Sequence, residues 1–323
     1  MSIQRGDIIG HEQHLHELTQ DLTNGNVAHA YLFAGPRHVG KFTVAKWFSQ
    51  ELLTHGLSPE DARAAVHQAE RLIHRDLLIL DQLWMEEVSE DLEVLARSTN
   101  VPQQHRMKAR AKTNMISVED VRALQRRLAE VVSSPFRCCL IRSVERMQDE
   151  AANALLKILE EPPEGVVFLL TTESLSSLLP TLISRSRVLR FTRVPYRQLK
   201  PLLEDVDEQD AQFILHVAQG APGVVERLRD SDALRKERQQ YNRALSFWNA
   251  TSFAERIKGI EPLEKKSEEA DQFLLHLALA LRNRSPLPVK ETRHLVRLLR
   301  GLKTNAQRNL LLQQFVLSVT GGS

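Results

Sequence analysis

Apolar positions in the N-terminal part of the chain alternate between short continuous runs and stretches spaced at three and four residues. His11 to Thr23 has helical spacing and ends at the helix stop Asn24-Gly25-Asn26. Ala30-Tyr31-Leu32-Phe33-Ala34 follows, the kind of run expected of a buried strand. A glycine-containing loop then leads into a helix predicted from Thr43 to Thr54. Ser58 to Leu83 reads as helical, with Ser58-Pro59-Glu60-Asp61 as a capped start. Residues 86–112 are polar, charged and weakly periodic, and are expected to form a flexible insertion.

Ser117-Val118-Glu119-Asp120 opens a helix reaching about Val132, because a serine cap and first-turn acids satisfy free backbone donors. Cys138 to Ile141 reads as a strand, Asp149 to Leu159 as a helix stopped by Pro162-Pro163, and Val166 to Thr171 as another strand. Strand alternating with helix predicts a parallel, helix-covered sheet up to about Phe191. After Val194-Pro195 helical patterns dominate, broken at Gly220-Ala221-Pro222-Gly223. The expected division is a sheet domain at 1–194, a small helical domain at 195–233 and a second helical domain at 234–323.

Composition changes this picture little. The net charge of +2 balances 43 basic against 41 acidic residues, a weak basis for nucleic-acid binding by the whole-chain field. Arginines cluster locally at Arg122, Arg126 and Arg127 and again at Arg185, Arg187, Arg190, Arg193 and Arg197, where the plainer reading is a solvated face. The 2 cysteines, Cys138 and Cys139, are adjacent in a strand and so point to opposite faces, which argues against a disulfide framework or a zinc site. No apolar run approaches the ~20 residues that span a bilayer, so a cytoplasmic location without a membrane partner is expected.

The clearest chemistry lies in Gly35-Pro36-Arg37-His38-Val39-Gly40-Lys41, which fits the start of the Walker A pattern. Glycines there let backbone N–H groups wrap phosphate oxygens, and the lysine reaches the terminal phosphates. The next position normally carries a hydroxyl for Mg²⁺ but here holds Phe42. Thr43 comes one residue late, a rotation of roughly 100 degrees on a helix.

Met147-Gln148-Asp149-Glu150 through Leu159-Glu160-Glu161-Pro162-Pro163, with Ser184-Arg185-Ser186 after it, resembles the clamp-loader branch of the AAA+ ATPases. The resemblance covers about 1 to 235, including Ile8-Ile9-Gly10 and His29-Ala30-Tyr31-Leu32-Phe33. It implies an α/β AAA+ (RecA-like) parallel-sheet domain followed by a helical lid domain and an all-α collar. Against the family pattern, Arg142 and Ser143 occupy the positions of two acids at the end of a strand, and Val224 that of a sensor arginine, with Arg227 one turn later. Glu145 lies beyond the strand end and reads as a surface residue, and Thr171 and Thr172 fall where the first sensor sits. The four-cysteine zinc module of many relatives is missing.

The resemblance therefore implies a non-hydrolysing stator subunit, of delta-prime type, in a DNA polymerase III clamp loader, the isolated chain being no enzyme. Arg185 would act in trans on a neighbour's ATP, a role that supplies on the order of 10³–10⁵ in rate. Gly35, Gly40, Lys41 and Thr43 would hold ATP or ADP without hydrolysis, with no cofactor required and no metal site. Implied partners are the ATPase subunits and a delta-type subunit in a hetero-pentamer, the sliding clamp, and primer-template DNA touched through Arg122, Arg126 and Arg127. Two alternatives stay open, an ATP-hydrolysing motor subunit of the same assembly and a stand-alone AAA+-derived DNA-binding or nucleotide-sensing protein.

Overall fold

Near-continuous apolar runs become four strands buried on both faces, and with a charged edge strand, β5, they form one parallel sheet in the order β2-β3-β4-β1-β5. They are β1 (Ala30–Ala34), β2 (Leu77–Leu80), β3 (Arg137–Ile141), β4 (Val166–Thr172) and β5 (Arg187–Arg190). The computed structural model describes residues 4–70, 74–80, 115–132, 134–265, 268–284, 286, 288–302, 304 and 306–320. The expected insertion at 86–112 lies outside them. The chain divides into two compact units, Met1–Leu199 with Gly220–Gly223, and Lys200–Gln219 with Val224–Ser323.

In the first unit, α1 (Glu12–Thr23) and α2 (Lys41–Thr54) cover one face of the sheet. After α3 (Pro59–Glu70), α4 (Val118–Leu128) and α5 (Asp149–Glu160) cover the other. Cys138 joins the first core and Cys139 the second, as strand alternation requires. α1 is held by Asp21, which accepts from the Tyr31 hydroxyl at 2.9 Å and pairs with Arg187 of β5.

Two strands differ from expectation. Of the helix expected over 58–83, α3 spans Pro59–Glu70, Leu77–Leu80 is a strand paired with β3 instead, and residues 71–73 and 81–83 lie outside the described ones. Four consecutive apolar side chains would crowd every side of a helix, whereas a strand between two helix layers buries them all. β5 was hidden by its charge, since only Leu189 of Arg187–Arg190 is buried, a pattern suited to a sheet edge.

The amino ends of β2 and β3 are tied by one buried arginine. Arg137 is 1% exposed, and its five N–H groups are all used. Nε and Nη2 donate to Asp76 Oδ1 at 3.1 and 2.8 Å, Nη1 to the carbonyls of Arg127 and Glu130 at 2.7 and 2.9 Å, and Nη2 to that of Val131 at 3.0 Å. The cation thus meets carbonyls at and just beyond the negative end of α4, while Asp76 Oδ2 accepts the Ser134 amide at 2.9 Å.

In the second unit, α8 (Glu208–Ala218), α10 (Ser231–Asn249), α12 (Glu268–Arg282), α13 (Val289–Gly301) and α14 (Arg308–Thr320) dominate. The shorter helices are α6 (Pro180–Ser184) and α7 (Tyr196–Leu199) in the first unit, with α9 (Pro222–Leu228) and α11 (Phe253–Gly259) further along the chain. Phe247, Trp248 and Phe315 centre this unit's core, and the Trp248 indole donates to the Leu277 carbonyl at 2.9 Å. Among the described residues no helix is long and apolar enough to cross a membrane.

Replacing Arg137 by Met strands the Asp76 carboxylate in the core, and the expected loss is about 3–5 kcal/mol in urea unfolding. The double variant Asp76→Leu with Arg137→Met should recover most of it. A single variant as stable as the parent would show that the ion pair does not hold these strand ends.

Candidate functional site

Parallel strands deliver their carboxyl ends to one edge, and the glycine loop starts there directly after β1. The Gly35 amide donates to the Thr172 carbonyl at 3.1 Å, and a Cβ on Gly35 would lie 2.3 Å from the Phe191 carbonyl oxygen. No other residue fits that approach. Gly40, at φ 99°, is the N-cap of α2, so the turn needs glycine again and free helix amides adjoin the loop. The loop is pinned on both flanks: the His11 ring Nε2–H donates to the Val39 carbonyl at 2.9 Å, and the Gly223 amide to that of His38 at 3.0 Å.

Lys41 reaches back into the loop, its Nζ donating to the carbonyls of Gly35 and Pro36 at 2.6 and 2.5 Å. Burial pulls its pKa down to about 8, against the opposing pull of Glu173 and Glu145, while Arg142 and Arg37 add to the depression. Gly35, Gly40 and Lys41 thus lie on one loop, whose donor set suits phosphate oxygens. Thr43 sits half-buried in the first turn of α2.

The acids beside the lysine were not foreseen as a pair. Glu145, expected at the surface, is half-buried. Its Oε1 accepts the Glu173 amide at 3.2 Å, and its Oε2 is buried without a hydrogen-bond partner. Glu173 in turn accepts from Arg37 Nε at 2.5 Å. The signal available in the sequence was position: both acids follow closely on strands that the alternation made parallel, so they had to converge on the loop. Thr171 is 2% exposed, and its hydroxyl oxygen accepts the Ser143 amide at 3.0 Å, fixing the turn after β3.

Phe42 and Arg142, the two departures from the Walker pattern, face each other. The guanidinium carbon lies 5.2 Å from the ring centroid, within cation–π range. Among the described residues, no group of three or more His, Cys, Asp or Glu is placed to hold a metal ion.

Arg185 follows α6, where its Nη2 meets Glu160 Oε1 at 2.8 Å and its Nη1 donates to the Thr181 carbonyl at 3.2 Å. Arg122 and Arg126 are exposed one turn apart on α4. Arg127 is separated from them, half-buried, with its Nε on Glu130 Oε2 at 3.1 Å. Arg227, one turn beyond Val224, is paired with Glu237 at 3.0 Å within the second unit.

A family model described as "DNA polymerase III, delta subunit" matches residues 10–195. The DNA polymerase III subunit gamma of Buchnera aphidicola is 25% identical over 226 residues, 67% of this chain and 55% of that protein. The subunit tau of Escherichia coli is 28% identical over 208 residues, 62% of this chain and 27% of that protein. The chain therefore spans about half or less of the length of these relatives. A solved gamma subunit-related protein from Thermotoga maritima is 19% identical, covering 94% of this chain and 98% of that one, with a TM-score of 0.48.

These names correct one expectation. The reading of the isolated chain as no enzyme is overturned, because the relatives it matches are named DNA polymerase III subunits gamma and tau. That expectation rested on Phe42, Arg142, Ser143 and Val224, and placing Glu145 at the surface left it apart from Glu173, the other acid whose charge acts on Lys41.

The depressed Lys41 pKa fixes a pH dependence. A phosphate anion binds the charged lysine, so its affinity should be level below about pH 8 and fall by up to ~10-fold per pH unit above it. Nucleotide dissociation constants measured from pH 7 to 9.5 check this, and a level profile would mean that Lys41 does not carry the phosphate.

Proposed function

Because this chain belongs to the DNA polymerase III delta subunit family of AAA+ clamp-loader proteins, we propose that it is an ATP-binding and ATP-hydrolysing subunit of such a clamp loader. The motor alternative is taken over the stator reading because the relatives are gamma and tau subunits. The observation that carries the reading is the buried, hydrogen-bond-free Oε2 of Glu145 in the acid pair whose charge acts on Lys41. Loop amides, the α2 N-terminus and Lys41 bind the phosphates, and the free carboxylate oxygen of Glu145 orients water and takes its proton.

The wider role follows from the same reading. The subunit works in a hetero-oligomer with neighbouring ATPase subunits and a delta-type subunit, acting on the sliding clamp and primer-template DNA during replication. Arg185 is the group offered to a neighbour. Its pair with Glu160 is a surface salt bridge, of a kind worth about 0–1 kcal/mol, so little opposes transfer of the guanidinium to a phosphate. Arg122 and Arg126 are the proposed contacts to the DNA backbone, being exposed on one helix face.

Turnover of ATP by the purified chain is the direct test. Glu145→Gln should retain ATP binding and lose roughly 10²–10⁴ in turnover, the range of a lost general base. Lys41→Ala should abolish both. A chain that binds ATP but shows no Lys41-dependent turnover, alone or assembled, contradicts the reading.

The trans role has its own check in the reconstituted complex. Arg185→Ala should lower the DNA-dependent ATPase rate about tenfold or more with assembly intact. An unchanged rate would make Arg185 a structural residue.

A further inference from the structure

The family pattern implies a Mg²⁺ ion beside the phosphates, and this site does not fit one. Mg²⁺ demands oxygen ligands in near-octahedral array, yet Phe42 replaces the hydroxyl and Arg142 the first strand-end acid. A guanidinium at that place repels a second cation as well as failing to bind it.

We propose that the Arg142 guanidinium, stacked against the Phe42 ring beside the Gly35–Lys41 loop, supplies the positive charge that a divalent cation would bring, so that nucleoside di- and triphosphates bind here without a divalent metal. This rests on the loop being a nucleotide site, and it concerns binding.

Three features support it. The first is placement: Arg142 directly follows β3 and Gly35 directly follows β1, at the same edge of the sheet as Glu173 after β4. The turn that holds it is fixed by Ser143, at φ 58° with its amide on Thr171 Oγ1, and by Arg146 Nη2, which donates to the Arg142 carbonyl at 3.0 Å. A non-glycine residue at positive φ marks a constrained turn.

The second is charge. Arg142 is near enough to Lys41 to add to the depression of its pKa, so an anion placed between the two cations would relieve repulsion that the free protein carries. The third is chemistry. A guanidinium presents paired N–H donors to phosphate oxygens, and the aromatic face beneath it limits the orientations it must give up on binding. Phe42 and Arg142 thus act as one unit, which accounts for the two departures together.

The test is the affinity of the full chain for a fluorescent ATP derivative, measured with excess EDTA and with millimolar Mg²⁺. Wild type should bind equally well in both, within a few-fold. Arg142→Gln should weaken binding in EDTA by about 10- to 100-fold, the loss of a charged hydrogen bond, with circular dichroism unchanged. Arg142→Lys, which keeps the charge without the fork, should fall between the two. Binding by wild type only with Mg²⁺ overturns the proposal and leaves the nucleotide site standing. Binding in neither condition overturns both.

Discussion

Parallel register is the constraint from which the rest of this site follows. Because β1 pairs with β4 and β5, and β3 with β4, all in the same direction, Ile141, Ala34, Thr172 and Arg190 end at one edge of the sheet. The residues that come next, Arg142, Gly35, Glu173 and Phe191, are scattered through the sequence and adjoin in space. Gly35 lies so close to Phe191 that only glycine passes, which fixes where the loop begins. At the opposite edge, Arg137 and Asp76 fasten the amino ends of β2 and β3 to the end of α4. A buried pair costs desolvation, and here complete use of the guanidinium's donors offsets it.

The charges at the loop explain one another. Lys41 is buried enough to lose proton affinity, and Glu145 and Glu173 limit that loss while Arg37 and Arg142 deepen it. Lys41 Nζ is held meanwhile by the carbonyls of Gly35 and Pro36, and Glu145 Oε2 lies buried without a hydrogen-bond partner. The positions that would hold the family's metal carry Phe42 and Arg142 instead. In the proposed reading Arg142 takes the metal's place and Glu145 is the acid displaced along the chain.

Much of this was legible in the sequence. The runs from Ala30 to Ala34 and from Val166 to Thr171, the glycine spacing and the capped start at Ser117 each have a local cause, and each is present. Leu77–Leu80 was absorbed into a helix because its apolar run carries no period of its own, and only pairing with β3 makes it a strand. Arg187–Arg190 was hidden because an edge strand need bury only one side chain. Glu145 was misplaced for a different reason: depth beside a loop depends on the neighbouring strand's end, which no local window contains. Arg127 parted from Arg122 and Arg126 because its carbonyl serves Arg137 while its side chain serves Glu130.

Whether residues 35–42 bind nucleotide can be read from amide hydrogen exchange. With saturating ATP, exchange should slow across residues 35–42 and at Ser143 in the wild-type chain and stay unchanged in Lys41→Ala. Exchange in the loop that ATP leaves unchanged, or protection that survives Lys41→Ala, would contradict nucleotide binding there.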